Sequence, residues 1–277
     1  MFGGLTARGR VLVVADAVGH GEIYVFDLDD GRLASHFEFS GKDGGYTDAG
    51  GVALGEDSSL WVPDTSGHVV RRLSLFGNMA GQVGLPPGAQ PRDRRGLIVS
   101  PRAVAIDSVG QLWVACGDRP WAHGLQVFAA TGDFVLSVPA FGGRGTPYGP
   151  ALGLSIAEHR VWVADWGNDC IQCFREDGSF VGSFDLALGA RPVAIAAWPG
   201  GRAVLVTKPR PAILVFDPDF RAGVPLALPA GDSLTGPCGL CITGDDLFVL
   251  DRDGARVFRC ALDGSGGEVL FDLDEWK

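Results

Sequence analysis

Val161-Trp162-Val163-Ala164-Asp165 decides the fold, because the chain writes it six times. Its counterparts are Val11-Leu12-Val13-Val14-Ala15-Asp16, Leu60-Trp61-Val62-Pro63-Asp64, Leu112-Trp113-Val114-Ala115-Cys116, Val204-Leu205-Val206-Thr207-Lys208 and Leu247-Phe248-Val249-Leu250-Asp251. Anchored on Val13, Trp61, Trp113, Trp162, Leu205 and Phe248, the copies recur at spacings of 48, 52, 49, 43 and 43 residues. A period in the forties built only from short strands is the signature of a β-propeller, one blade per repeat. The period fixes where a binding site can lie but not what binds there.

Working outward from the anchor, each repeat resolves into four strands. In the second repeat Gly51-Val52-Ala53-Leu54 is the inner strand and Glu56-Asp57-Ser58-Ser59 its turn. Leu60 to Val62 is the second strand, Val69 to Leu73 the third, and Met79 to Val83 a short outer strand. Turns such as Glu176-Asp177-Gly178-Ser179 have hairpin chemistry, with Gly supplying positive φ. The expectation is an all-β, six-bladed propeller of four-stranded antiparallel blades around a central channel, one domain over 1–277. Its blades fall near 3–40, 48–84, 100–140, 150–187, 190–229 and 236–273. Blade one is predicted to close directly on blade six, with no strand borrowed from the other terminus.

Bulk properties agree. The 46% hydrophobic fraction supplies a core, and 42 Gly and 17 Pro fit many tight turns between short strands. No stretch sustains helical apolar spacing, and no apolar run approaches a membrane span. No basic stretch followed by an apolar segment opens the chain, so the expected compartment is the cytoplasm.

Val163-Ala164-Asp165-Trp166-Gly167-Asn168-Asp169-Cys170-Ile171-Gln172-Cys173-Phe174 resembles the core of an NHL repeat, whose pattern reads roughly V-A-D-T-G-N-H-R-I-Q-V-F. The lead-in Leu234-Thr235-Gly236-Pro237-Cys238-Gly239-Leu240 is similar to that family's F-x-x-P-x-G-I segment. It returns at Tyr46 to Val52, Ile98 to Val104 and Tyr148 to Leu154, each with a small residue (Gly51, Ala103, Gly153, Gly239) five after a bulky one. Blades one and five are degenerate, and Lys208-Pro209-Arg210-Pro211 replaces the Asp-x-Gly turn in blade five. The resemblance implies architecture more than activity.

In such a ring the loops between strands two and three, and those between blades, share one face at the channel mouth. The long insertions Ser40 to Gly50, Gly84 to Ser100, Asp118 to Gly124 and Phe141 to Ala151 are assigned there, and long loops on a rigid scaffold are where function concentrates. The chain carries −10 overall, yet the loops assigned to this face, the insertions among them, hold Arg92, Arg94, Arg95, Arg102, Arg119, Arg144, Arg191, Lys208 and Arg210. Arg102 and Arg191 are read as sharing one repeat position just before the inner strand. Arg favours planar anions, and Trp121 and Trp166 are the two tryptophans in mouth loops, where an aromatic can stack on a ligand. The candidate ligand-binding set is therefore Arg102, Arg191, Trp166, Trp121, Arg144 and Lys208. The competing reading is that the arginines pair with Asp43, Asp48, Asp93 and Asp118 in the same loops.

His20, His68 and His123 sit in corresponding turns of three consecutive blades and suggest a three-histidine metal site. The resemblance implies another role. NHL repeats carry His at the position of His68 and His123 as an inter-blade hydrogen-bonding residue, and His20 is offset by one. Some six-bladed relatives, such as the peptide-amidating lyase, do hold a catalytic zinc with histidines. Asp16, Asp64, Asp165 and Asp251 end the second strands and are expected to cap the following turn. Cys170-Ile171-Gln172-Cys173 and Cys238-Gly239-Leu240-Cys241 are both CxxC. On a strand, residues three apart face opposite ways, and the pairs lie in different blades, so all six cysteines are expected reduced and metal-free.

The resulting expectation is a recognition scaffold without a cofactor, whose partner is a protein or an anionic small molecule. The alternative is a lyase or lactonase-type hydrolase with Zn or Ca in the channel. The net charge of −10 speaks against nucleic acid, which needs a strong positive footprint.

Overall fold

The computed structural model describes residues 3–16, 21–39, 51–84, 96–117, 124–139, 151–186, 189–208, 210–221, 223–229, 232–263 and 265–276. Blade one is β1 (Gly4–Arg8), β2 (Val11–Asp16), β3 (Glu22–Asp27) and β4 (Arg32–Glu38). Blade two is β5 (Ala53–Leu54), β6 (Leu60–Asp64), β7 (Val69–Leu73) and β8 (Met79–Val83), and blade three β9 (Pro101–Ile106), β10 (Leu112–Cys116), β11 (Gly124–Phe128) and β12 (Phe134–Pro139). Blade four is β13 (Ala151–Ala157), β14 (Arg160–Asp165), β15 (Cys170–Arg175) and β16 (Phe180–Asp185). Blade five is β17 (Pro192–Trp198), β18 (Gly201–Val206), β19 (Ala212–Phe216) and β20 (Val224–Pro225). Blade six is β21 (Pro237–Thr243), β22 (Asp246–Asp251), β23 (Arg256–Ala261) and β24 (Gly267–Asp272), and a turn of 3₁₀ helix follows at Leu273–Trp276. Every sheet is antiparallel and runs in sequence order from strand to strand. The fold is the six-bladed propeller that the period predicts.

The packing of the second strands explains why the middle of the anchor string is apolar. Trp162 and Ala164 pack against blade five, with Ile195, Val204 and Val206. Val161 and Val163, one residue out of phase, pack against blade three, with Trp113, Ala115 and Val127. The same division recurs round the ring. Trp61 faces blade three, Trp113 blade four and Phe248 blade one. Because side chains alternate along a strand, one strand buried on both faces serves two interfaces, and its buried polar residues, such as Asp165 and Arg202, stand toward the strand ends.

Register corrects one anchor. Trp162 pairs with Ser155 and Cys173, and Phe248 with Cys241 and Arg259. The residue so placed in blade five is Ala203, between Ala196 and Val215, whereas Leu205 pairs with Ala194. Leu205 is therefore two residues past the equivalent point. Both residues face blade six, and a period of two cannot distinguish positions two apart.

At the axis the inner strands nearly touch. A Cβ on Gly4 would stand 2.7 Å from the Gly51 Cα, and one on Gly153 would stand 2.8 Å from the Ala194 Cα. That contact is why the lead-in requires a small residue at Gly51, Ala103, Gly153 and Gly239. Below this neck lies a cavity of about 220 Å³ on the axis, reaching the inner-strand ends at Arg8, Leu54, Ile106, Ile156 and Ile242. Closure follows the same packing as the other seams: Leu12, Val14, Tyr24 and Phe26 of blade one bury against Phe248, Leu250, Val257 and Phe271 of blade six. Phe26 and Phe271 stack with centroids 4.1 Å apart.

Among the outer strands, β4, β8, β12 and β16 each carry a register slip near their start, and β24 carries one toward its end, at Leu270. Such bulges twist an open edge and discourage pairing with another chain.

The axial contact generates a prediction. Gly153→Ala forces a methyl group into the Ala194 backbone and is expected to cost about 1–3 kcal/mol. Gly266→Ala, where an added Cβ meets nothing within 4 Å, should leave the melting temperature nearly unchanged. Equal melting of both variants by circular dichroism would show that the neck is not tight.

Candidate binding surface on the loop face

The β1–β2 and β3–β4 turns of blade one and their counterparts share one face. The loops after each second strand, and the connections between blades, share the other. The loop face is built on the ends of the second strands. Asp64 accepts the Gly67 amide at 2.7 Å and two bonds from Arg71, at 2.6 and 3.0 Å. Asp165, fully buried, accepts the Asn168 amide (3.1 Å), Asn168 Nδ2 (2.7 Å) and Gln172 Nε2 (2.7 Å). Burial pushes its pKa up, and those donors pull it back. Asp251 turns the other way, accepting the amides of Thr235 and Gly236 in the lead-in to its own blade. Two of these carboxylates thus cap the following turn and one fastens the preceding segment. The side chain of Asp16 lies outside the described set.

Four residues after Asp64, Asp165 and Asp251 the chain enters the left-handed region, at His68 (φ 58°), Asp169 (φ 55°) and Ala255 (φ 48°), and five after Asp16 it does so at Gly21 (φ 72°). At His68 and Asp169 the side chain reaches the next blade. His68 Nδ1 accepts the Ser100 amide at 3.0 Å, which fixes the ring proton on Nε2 and ties blade two to the lead-in of blade three. Asp169 Oδ1 lies 3.6 Å from Arg191 Nε, between blades four and five. His68 therefore has an inter-blade role. His20 and His123 lie outside the described residues, and so do Trp121 and Arg144. Among the described residues no group of three or more His, Cys, Asp or Glu is arranged to hold a metal ion.

Arg102 and Arg191 do not share a repeat position. Pro101 pairs with Cys116, Pro192 with Val206 and Pro237 with Asp251, so Arg191 precedes its proline and Arg102 follows. Arg102 is the extra residue of an inner-strand bulge, the place of Leu152, Val193 and Cys238 in blades four, five and six. A bulge cannot be read from alternation, which is why the two arginines looked alike. Arg102 is half-buried near the axis. Arg191 instead meets Trp166: its guanidinium carbon lies 4.6 Å from the ring centroid. Trp166 rests on the cluster that holds Leu152 and Val193. Trp166, Arg191 and Asp169 thus form one stacked, ion-paired unit. Lys208 and Arg210 are exposed on the adjoining loop of blade five, which is joined to Arg191 through the Thr207 amide and the Arg191 carbonyl at 3.1 Å.

No family model matches the chain. Over 186 residues it is 27% identical to NHL repeat-containing protein 3 of Mus musculus, covering 60% of this chain and 51% of that protein. The Homo sapiens protein of the same name is 27% identical over 165 residues, covering 55% and 46%. The chain is a six-bladed propeller in fold and is similar in sequence to NHL-repeat proteins. It spans about half the length of the curated relatives it matches. Among solved structures, a streptogramin B lyase superposes with a TM-score of 0.68 at 14% identity over 96% of this chain and 80% of that one. Hydrazine synthase of Kuenenia stuttgartiensis gives 0.68 at 14% over 94% and 76%, and a Bacteroides caccae protein of unknown function 0.69 at 11% over 96% and 94%. At such identities the likeness concerns the fold alone.

All six cysteines of this propeller are free thiols. The CxxC pairs lie on β15 and β21, in blades four and six. One expectation fails: Cys238 and Cys241 pack on the same cluster, against blade one. The bulge between Pro237 and Gly239 resets the alternation and turns both to one side. Burial pushes the Cys116 thiol up to about 12 and Cys260 to about 11, and raises Cys173 and Cys241 as well. Only the thiolate reacts. Native protein at pH 8 should therefore react with a disulfide reagent roughly 100-fold or more slower than denatured protein, which should release six thiols. Fast native labelling of Cys116 or Cys260 by peptide mapping would contradict the packing.

Proposed function

We propose that this propeller acts by recognition, engaging an anionic surface of a partner protein or an anionic small molecule on the loop face of blades four and five. The observation that carries the reading is the Arg191–Trp166 stack beside the exposed Lys208. Trp166 offers an aromatic wall and holds the guanidinium flat, so little rotamer freedom is lost when an anion docks. Asp169 neutralises Arg191 in part, but the pair is 37% and 45% exposed, where water screens it and an incoming carboxylate competes. The turn face differs. There Arg8 pairs with Glu56, Arg72 with Asp57 and Arg259 with Asp246 at direct hydrogen-bond distance, against 3.6 Å for Arg191 and Asp169, so these three cations are held more closely. Arg102, Trp121 and Arg144 belong to the same proposal as further contacts of the mouth.

The test uses a fluorescent deca-glutamate peptide at low salt, followed by anisotropy. Arg191→Gln with Lys208→Gln should weaken binding by about tenfold or more, since a hydrogen bond to a charged group contributes about 1.5–3 kcal/mol. Arg10→Gln with Arg221→Gln, on the turn face, should change it less than twofold. Absence of binding, or equal loss in the two pairs, would refute the recognition surface.

A further inference from the structure

The outer strand of blade five is reduced to Val224–Pro225, against five to seven residues in the other blades. After Pro225 the chain keeps one ladder bond, from the Leu226 amide to the Ile213 carbonyl at 2.9 Å, and then leaves the sheet. The wedge between blade five and the lead-in to blade six is consequently unfilled. It forms a pocket of about 370 Å³ lined by Pro211, Ala212, Ile213, Leu226, Leu228 and Leu234, with Arg210, Asp232 and Ser233 at its polar side. That volume is within the range of small-molecule sites.

The two charged groups are not equivalent. Asp232 Oδ1 accepts Arg256 Nη1 at 2.7 Å, and both side chains are 24% exposed. Arg256 also donates to the Ser233 carbonyl at 3.1 Å and lies 3.6 Å from Asp251. A cationic ligand would have to displace that arginine from a mostly buried pair, which is costly. Arg210 is exposed and makes no ion pair among the described residues. One unpaired guanidinium beside an apolar wall selects a monoanion with an apolar body, and the planar fork matches a carboxylate.

We infer that this pocket binds a compact aliphatic monocarboxylate, with its carboxylate on Arg210 and its alkyl body against Ile213, Leu226, Leu228 and Leu234. The carboxylate belongs either to a free acid or to the C-terminus of a chain ending in leucine. The site goes beyond the recognition surface of Trp166 and Arg191, and shares with it the face and the loop that carries Lys208.

The experiment titrates the full chain with acetate, butanoate and hexanoate, with hexanol, and with a leucine-ended pentapeptide in free and amidated forms, followed by isotope-detected NMR shifts. Affinity should rise about fourfold per methylene, hexanol should bind at least tenfold more weakly than hexanoate, and shifts should centre on 210–213 and 226–234. A free-ended peptide that outbinds hexanoate, and loses this on amidation, identifies the chain-end source; the reverse order identifies the free acid. Arg210→Gln, an exposed change that leaves the packing intact, should abolish the difference between hexanoate and hexanol. No binding, equal binding of acid and alcohol, or an unchanged Arg210→Gln variant would overturn the inference. A protein that ignores hexanoate but still binds deca-glutamate retains the recognition surface without this pocket, and the converse result separates them the other way.

Discussion

Every second strand in this molecule has to satisfy two neighbours at once. Trp162 and Ala164 are buried against blade five while Val161 and Val163, between and beside them, are buried against blade three. A polar substitution on either set would leave an unpaired group in an interface that water cannot reach. The rest of the architecture follows from that double burial. The blades must stand face to face, their inner edges must converge on an axis, and convergence forces the small residues at Gly4, Gly51 and Gly153. Stability in such an array is a sum over blades and the seams between them. The seam between blades six and one is packed like the others, through Phe26, Phe248 and Phe271.

The loop face inherits its rigidity from the ends of those strands. Asp64 and Asp165 satisfy the amides of the turn that follows, so the chain leaves the sheet in a fixed direction. The left-handed residue at the end of the turn then aims a side chain at the next blade. In blade two that side chain is His68 and its partner a backbone amide; in blade four it is Asp169 and its partner Arg191. One structural position thus serves as a plain tie in one seam and as part of a charged, aromatic surface in another. The exchange of His for Asp converts a backbone contact into an ion pair, and Arg191 is thereby held over Trp166.

Blade five shows what happens when the repeat weakens. Its second strand ends in Val206 where blades two, four and six place Asp, and its outer strand shrinks to two residues. The missing carboxylate leaves the loop at 207–211 without the usual cap, and the missing strand leaves the wedge beside Ile213 and Leu234 open. Exposed cations and an apolar pocket therefore accumulate where the repeat is least regular. The regular blades supply a frame, and the irregular one adds exposed cations and an open wedge to it.

The sequence by itself determined the period, the number of blades, the strand that anchors each and the small residues at the axis. These depend on local alternation and turn chemistry, which are written in consecutive residues. It also marked the His68 tie, Trp166 and the degeneracy of blade five. Tertiary structure decided the rest. Leu205 reads in sequence as an equivalent of Trp162 because a shift of two preserves strand facing. Arg102 and Arg191 read as one position, and Cys238 and Cys241 as opposite faces, because a bulge inserts a residue that no pattern announces. The pairing of Arg191 with Trp166 and Asp169, and the pocket at Arg210, join segments that lie tens of residues apart in the chain. Such contacts arise only when blades stack, so the fold was legible residue by residue, while the site became visible only once the ring had closed.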